Sequence, residues 1–319
     1  MNAGRVVGAV DIGGSHAVAA LFEVTARGVV MIRQAEGPLD AQAPLAELLG
    51  SITATIRRVD PPAGLEWAIA IPGPFDYPRG TGTFEGVGKF QSLSGVDLRA
   101  AFAATVSTRS DRIGFLNDAV AYGIGEWAAT DPRPGRLVCV TLGTGVGSAF
   151  LKDGRAVEDG PDVPPRGWVH LLRIRARPLE ETVSTGAIQA AYASATGVRS
   201  SVRDIAAAAR AGDPAAGTVL QEAMRELGRA LAPWFGRFGT DEVVIGGSIS
   251  RSWDLIEAPL RAAIDGTIGT DRPTPTPMLR ASRLLDRAPL AGAAEWILRE
   301  TAERPGRPGH PPVPSGRSH

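Results

Sequence analysis

A single cysteine, Cys139, in 319 residues excludes an internal disulfide framework and a thiolate-rich zinc site. It lies in the apolar run Leu137-Val138-Cys139-Val140, which marks a buried structural thiol rather than a nucleophile. No apolar stretch is long enough to cross a bilayer, and the N-terminus lacks a signal-peptide pattern, so a cytoplasmic location is expected. Neither sign of charge predominates, because 34 Lys plus Arg balance 34 Asp plus Glu. No global field therefore favours nucleic acid or an anionic membrane, and neither is expected as a partner. What remains is a globular composition, 44% hydrophobic and 21% charged, at a length that suits two domains sharing a cleft.

The first apolar run, Arg5 to Asp11, predicts a buried strand that ends at Gly13-Gly14. Strands over Ala17 to Phe22 and Val29 to Arg33 follow so closely that the three must form an antiparallel meander; a parallel crossover needs a dozen or more residues. Leu45, Leu48, Leu49, Ile52 and Ile56 form one helical stripe over Leu45 to Val59. Leu65 to Ile71 predicts a strand, 72–95 a glycine-rich loop, and Arg112 to Leu116 a strand that hands over to a helix near Asp118. The pattern then restarts. Strands are predicted over Arg136 to Leu142 and Val146 to Leu151, with Gly143-Thr144-Gly145 between them. Helices are predicted from Ala187, from Val202 and over Pro214 to Phe235, and a strand over Asp241 to Ile245. Two approximate copies of one α/β unit imply two lobes, with both glycine turns at one cleft. The expected division is a smaller lobe over 1–117, completed by a C-terminal helix near 289–301, and a larger lobe over 118–288. The Pro-, Gly- and Arg-rich segment 302–319 is expected to be disordered.

Asp11-Ile12-Gly13-Gly14-Ser15 lets backbone N–H groups approach an oxyanion without obstruction by Cβ, and Ser15 adds a hydroxyl donor. Asp11, at the strand end, can hold Mg²⁺ directly or through its water shell. Thr141, Gly143, Thr144 and Gly145 offer a second such turn. An ordinary glycine hairpin reads the same way at either place, but two of them in a duplicated unit make coincidence a poorer account. Neither is a Walker motif, since Gly-Lys-Ser/Thr is absent. Neither is a dinucleotide fingerprint, since a strand follows Gly13-Gly14. Gly246-Gly247, after the run Val243-Val244-Ile245, leaves room for a flat adenine or ribose; a routine turn is the alternative. Asn117-Asp118 sits at a strand-to-helix junction and reads two ways. Asp and Asn are favoured helix caps. Equally, Asn117 can hold a substrate hydroxyl while Asp118 takes its proton during phosphoryl transfer.

Together these segments resemble the ROK family (repressor, open reading frame, kinase), especially its glucokinase-like members. The resemblance rests on Asp11-Ile12-Gly13-Gly14-Ser15, Ile71-Pro72-Gly73-Pro74, Asn117-Asp118, Leu142-Gly143-Thr144-Gly145-Val146-Gly147 and Ile245-Gly246-Gly247-Ser248, in that order, over about residues 5–300. It implies an actin-like ATPase fold of two ribonuclease-H-like lobes. The implied reaction is transfer from ATP with Mg²⁺ to a sugar hydroxyl, commonly the 6-OH, by a protein that is usually a homodimer. It implies Asp118 as general base and Asn117, Gly73, His170 and Glu181 on the substrate side.

The chain departs from the family pattern at several points. His16 stands where lysine is usual. The cysteine-rich zinc segment is absent, so no zinc is expected. The family's Glu-x-Gly-His sugar contact becomes Gly167-Trp168-Val169-His170, which keeps the histidine and loses the carboxylate. Loss of such an acceptor should change substrate choice, toward an amino sugar such as kanosamine or glucosamine, or toward a cyclitol. The loop Gly86-Val87-Gly88-Lys89-Phe90 replaces an asparagine-containing sugar loop, and either lines the pocket or lies on the surface. Arg173, Arg175 and Arg177 alternate, so they share one side of a possible strand. A solvated face explains them, and a polyphosphate donor is the exotic option. The competing functions are a repressor of the same family, for which no N-terminal helix-turn-helix or basic recognition helix is legible, and a sugar-binding protein without catalysis.

Overall fold

The structure, a computed structural model, describes residues 4–174, 176–268 and 276–303. In its first half, β1 (Val6–Ile12), β2 (His16–Thr25) and β3 (Gly28–Pro38) form the meander. Helix α1 (Leu45–Arg57) then carries the chain back to β4 (Glu66–Ile71), which pairs parallel to β1. The segment after β4 is not a bare loop. It holds the short pair β5 (Phe75–Asp76) and β6 (Thr81–Gly82) and a 3-10 turn over Gln91–Leu93. Helix α2 (Leu98–Thr105) leads to β7 (Ile113–Asn117), parallel to β4.

The second half opens with α3 (Asp118–Ala128) and repeats the scheme. Strands β8 (Arg136–Leu142), β9 (Val146–Lys152) and β10 (Arg155–Ala156) are antiparallel neighbours. A hairpin of β11 (Arg173–Ile174) and β12 (Arg177–Pro178) precedes α4 (Glu180–Val183), α5 (Thr185–Thr196), α6 (Val202–Arg210) and α7 (Pro214–Phe238). Strand β13 (Glu242–Gly246) pairs parallel to β8. After α8 (Trp253–Ile268), β14 (Met278–Ala281) pairs parallel to β13, and α9 (Ala288–Glu303) follows. Among the described residues the two main sheets have five strands each, in the orders β3-β2-β1-β4-β7 and β10-β9-β8-β13-β14. The two orders are one topology used twice.

Three expectations change in detail. Helix α9 continues through Glu303, so residues 302 and 303 are helical; the rest of the expected disordered tail lies outside the described residues. Pro233 stays inside α7, which runs on to Phe238. Arg173 and Arg177 sit on opposite strands of a hairpin, with Arg173 opposite Pro178 and Ile174 opposite Arg177. They therefore do not share one side of one strand, and Arg175 lies outside the described residues.

Helices α3 and α9 fill the space between the sheets. Helix α9 packs across β1 and β4, and α3 packs across β8 and β9. One apolar cluster runs through both: Val7, Ala9, Ala68 and Ala70 from the first sheet, Leu137, Cys139, Ala149 and Leu151 from the second, and Ala121, Ile124, Leu290, Ala294 and Ile297 between them. The cysteine is thus buried, as its apolar run implies, and burial pushes its thiol well above the ordinary range. The helices cross at Gly125 and Gly292. A Cβ on Gly292 would overlap the Ala121 carbonyl and lie 2.6 Å from the Gly125 nitrogen. Gly292→Ala should therefore cost about 1–3 kcal/mol or more, because overpacking of a fixed backbone contact cannot relax cheaply. Gly50→Ala, at an open exposed site in α1, should instead gain about 0.5–1 kcal/mol. Denaturant unfolding of the two variants checks both signs.

Candidate active site

Both glycine turns lie at corresponding strand ends. In the first, the Gly13 N–H donates to the His16 carbonyl at 3.0 Å and closes the β1–β2 turn; Gly14, Ser15 and His16 are exposed. In the second, the Gly143 N–H donates to the Gly145 carbonyl at 3.0 Å, and the Gly143 carbonyl accepts from the Thr185 N–H at 2.8 Å. The Gly246-Gly247 turn lies against this second turn. Gly247 has φ +80°, and a Cβ there would overlap the backbone of Leu142. Nothing larger than glycine lets the two turns come together.

Asn117 caps α3. Its side-chain oxygen accepts from the Ala119 N–H at 3.0 Å and the Val120 N–H at 3.2 Å. The cap is thus real, but it belongs to Asn117. Asp118 is the first helical residue, with Oδ1 accepting from the Ala119 N–H at 2.9 Å. The Asn117 amide donates to the Tyr77 hydroxyl at 3.1 Å, and that hydroxyl donates to the Ile71 carbonyl at 3.2 Å. Gly73 lies beside the same hydroxyl, its absent Cβ 3.6 Å away. Tyr77 thus gathers Gly73 and Asn117 beside Asp118. In the sequence its only signal is an aromatic residue inside a glycine-rich stretch.

The charges of the cleft interact. Asp11 is pushed up to about 7, first by burial and then by the negative charges of Asp118 and Asp286. Burial also raises Asp118; the Ala119 N–H, the Lys89 ammonium and the Asn117 side chain oppose that rise. Lys89, one of only two lysines in the chain, comes from the loop whose place the sequence leaves open. The loop is anchored. Phe90 is buried against Phe84 with ring centroids 5.5 Å apart, its N–H donates to the Ala41 carbonyl at 2.6 Å, and Lys89 is half-buried. The loop's C-terminal end is thus fixed to the lobe, while Gly86 and Gly88 are exposed.

On the opposite wall, Ser148 Oγ donates to the Gly167 carbonyl at 2.5 Å and accepts from the Val169 N–H at 3.1 Å, which fixes the segment carrying His170. The His170 ring lies 5.5 Å from that of Trp168. Burial lowers its pKa against the pull of Glu180, which favours a neutral ring. Glu158 faces Tyr77 electrostatically; burial and then Asp159 raise it, against the lowering by Arg166. The acid expected at Glu181 is displaced by one residue. Glu181 is exposed, whereas Glu180 Oε2 accepts from the Val146 N–H at 2.8 Å and lies where a Cβ on Gly145 would come within 2.8 Å. Neighbouring residues of a helical turn point about 100° apart, and Leu179 and Val183, both buried, orient α4 so that Glu180 faces the second glycine turn. Among the described residues no group of three or more acids, histidines or cysteines is arranged to hold a metal ion.

The sequence profile of the ROK family matches residues 7–300. The glucokinase of Thermotoga maritima is 27% identical over 223 residues, covering 60% of this chain and 68% of that one. The fold superposes on a ROK family glucokinase from Streptomyces griseus, solved with glucose and AMPPNP, with a TM-score of 0.73 at 21% identity. That match covers 92% of this chain and 99% of the other. A ROK family transcriptional regulator, a homologue of the E. coli MLC protein, matches with the same TM-score and identity over 93% of this chain and 79% of that one. These superpositions show the actin-like ATPase fold.

A reaction that uses Asp118 as base fails as pH falls through its pKa, so its acid limb should lie above the ordinary carboxylate value of about 3.9. Lys89 favours the ionised form, so Lys89→Met should move that limb to higher pH. A ¹³C NMR titration of the Asp118 carboxyl reads the shift without turnover, and a shift downward would exclude this arrangement.

Proposed function

The chain belongs to the ROK family, and we propose that it is an ATP-dependent sugar kinase with Asp118 as general base. The observation that carries this reading is the convergence of Asp118 and Asp11, each at the end of a sheet strand or the start of its helix, beside glycine turns from both lobes. Phosphoryl transfer asks for little more: donors around the phosphates, a base at the nucleophile and excluded water. The N–H groups and hydroxyls of Gly13, Gly14, Ser15, Thr141, Gly143, Thr144 and Gly145 serve the phosphates. Gly246 and Gly247 border the nucleotide's other end. Asp11 would hold Mg²⁺; burial and then the neighbouring acids Asp118 and Asp286 raise its pKa, and a divalent cation there would oppose that rise. When bound, the ion neutralises charge on the phosphate oxygens.

On the acceptor side, Asp118 takes the proton of the attacking hydroxyl, commonly the 6-OH. Asn117 is committed to the cap and to Tyr77, so it orients this corner and offers the acceptor what those bonds leave. His170, uncharged, can donate or accept at a sugar hydroxyl. The missing carboxylate at Gly167 and the negative charge of Glu158 acting on Tyr77 favour an aminohexose over glucose, with a cyclitol as the further option. The division into lobes follows the same logic: 1–117 with α9, and 118–288 with α3 as its first helix.

Similarity to a transcriptional regulator keeps a second reading, a sugar-binding or sugar-sensing protein without catalysis. Release of ADP on addition of sugars separates the two. Asp118→Asn should cut kcat by about 10²–10⁴-fold while the sugar still binds. Unchanged turnover would end the proposed mechanism, and no turnover by the wild type with any sugar would favour the sensor. In a kcat/KM panel, glucosamine or kanosamine should exceed glucose; a clear preference for glucose would refute the acceptor assignment. Polyphosphate offered in place of ATP tests the donor.

A further inference from the structure

Asp118, Tyr122 and Glu126 follow one another at i+4 spacing along one side of α3. Only Asp118 has been given a role. The other two end on buried polar groups that reach the nucleotide turns. The Gly247 N–H donates to the Tyr122 hydroxyl at 3.4 Å, and the Tyr122 hydroxyl donates to Ser282 Oγ at 2.8 Å. Ser282 Oγ also accepts from the Leu285 N–H at 2.8 Å, and donates to Glu126 Oε1 at 2.6 Å. A hydroxyl carries one proton, so with both acceptances made the Ser282 proton must go to the carboxylate. The chain of bonds therefore runs in one direction, from the backbone of the glycine turn to a fully buried acid.

That acid is firmly held. Glu126 accepts from the Arg283 N–H at 3.0 Å, the Leu284 N–H at 2.8 Å and the Arg280 guanidinium at 2.5 Å, and Arg280 in turn pairs with Glu242 and donates to Thr130 at 2.9 Å. The Tyr122 ring fills the space beside Gly246, where a Cβ would lie 2.6 Å from it. Gly247 meanwhile lies on Leu142, the residue before the second phosphate turn. Burial keeps Tyr122 protonated far above neutral pH, so its donor is always present.

We propose that Tyr122 is a positioning residue that holds the Gly246-Gly247 turn in register with Asp118, through the chain Gly247–Tyr122–Ser282–Glu126. The nucleotide turn and the base then sit on one rigid body, one helical turn apart. The inference rests on the kinase reading for its consequence, but not for the bonds themselves.

Tyr122→Phe keeps the ring and removes the hydroxyl. It should weaken ADP binding about five- to twentyfold by calorimetry, the worth of one to two buried hydrogen bonds. KM for ATP should rise similarly, and sugar binding should stay unchanged. Ser282→Ala should reproduce the selective loss, and the double variant should add little, because both cut one chain. Equal loss for both ligands, or ADP binding unchanged in Tyr122→Phe, would overturn the proposal. Should the wild type bind no ADP, the kinase reading falls by itself. Amide exchange at Gly247 and Ser248 then decides, since Tyr122→Phe must accelerate it if the hydroxyl holds the turn; unaltered exchange overturns the inference.

Discussion

At Gly125 and Gly292 the backbones of α3 and α9 pass so closely that neither position has room for a Cβ. Each helix also covers the inner face of one sheet, so this single crossing joins the sheets through apolar side chains from both. The consequence for chemistry is positional. The N-terminus of α3 emerges from β7 of the first sheet, while its flank lies on β8 and β9 of the second. A residue at that N-terminus is therefore placed by both halves of the chain at once. Asp118 occupies it, and the glycine turns of β1–β2 and β8–β9 come from the same two sheets.

Charge in the cleft follows from this crowding. Asp118 comes near enough to Asp11 to oppose its ionisation, and Asp286 adds to the effect. Such an arrangement is unfavourable in a protein serving only its own stability, since buried acids normally have cations or N–H donors around them. Asp118 has local remedies, among them the Ala119 N–H, Lys89 and the Asn117 side chain. Asp11 has no comparable lowering contribution, and its pKa rises to about 7. In the proposed mechanism this difference would separate a base that must be ionised from a carboxylate that takes an external positive charge.

The repeat, the antiparallel meander and most strands were legible because buried strands and glycine turns leave short, dense signals. Asn117-Asp118 was legible as a junction, but its two readings could not be separated along the chain. Only coordinates show that Asn117 takes the cap and leaves Asp118 beside the cleft. The expectation placed on Glu181, where the structure turns Glu180 inward, has a related cause. Two adjacent acids on a short helical turn look alike in sequence, and the buried neighbours Leu179 and Val183 decide which one faces inward. Tyr77 was invisible beside Asn117, and the place of the Lys89 loop stayed open, because irregular loops carry no periodicity from which to infer direction. The alternation of Arg173 and Arg177 misled because a two-residue hairpin imitates a strand over so short a span.

Gly167 shows how far the acceptor side has moved from the family's pattern. It has φ +67°, directly after Arg166 at φ +58°, so two successive residues adopt the left-handed conformation. Glutamate does not suit that backbone, and the cost is of order 1 kcal/mol or more for a residue with a Cβ. The backbone path through this segment is pinned by Ser148 on either side of Trp168. The same path brings the Arg166 guanidinium to 4.9 Å from the Trp168 ring centre and sets that ring beside His170. In the proposed kinase this wall would offer the acceptor an aromatic face, an imidazole whose pKa burial lowers, and Glu158, in place of one direct carboxylate. A pocket of that kind discriminates by shape and by charge at a distance. Its selectivity should therefore depend on how closely the lobes approach, which leads back to the helix crossing that joins them.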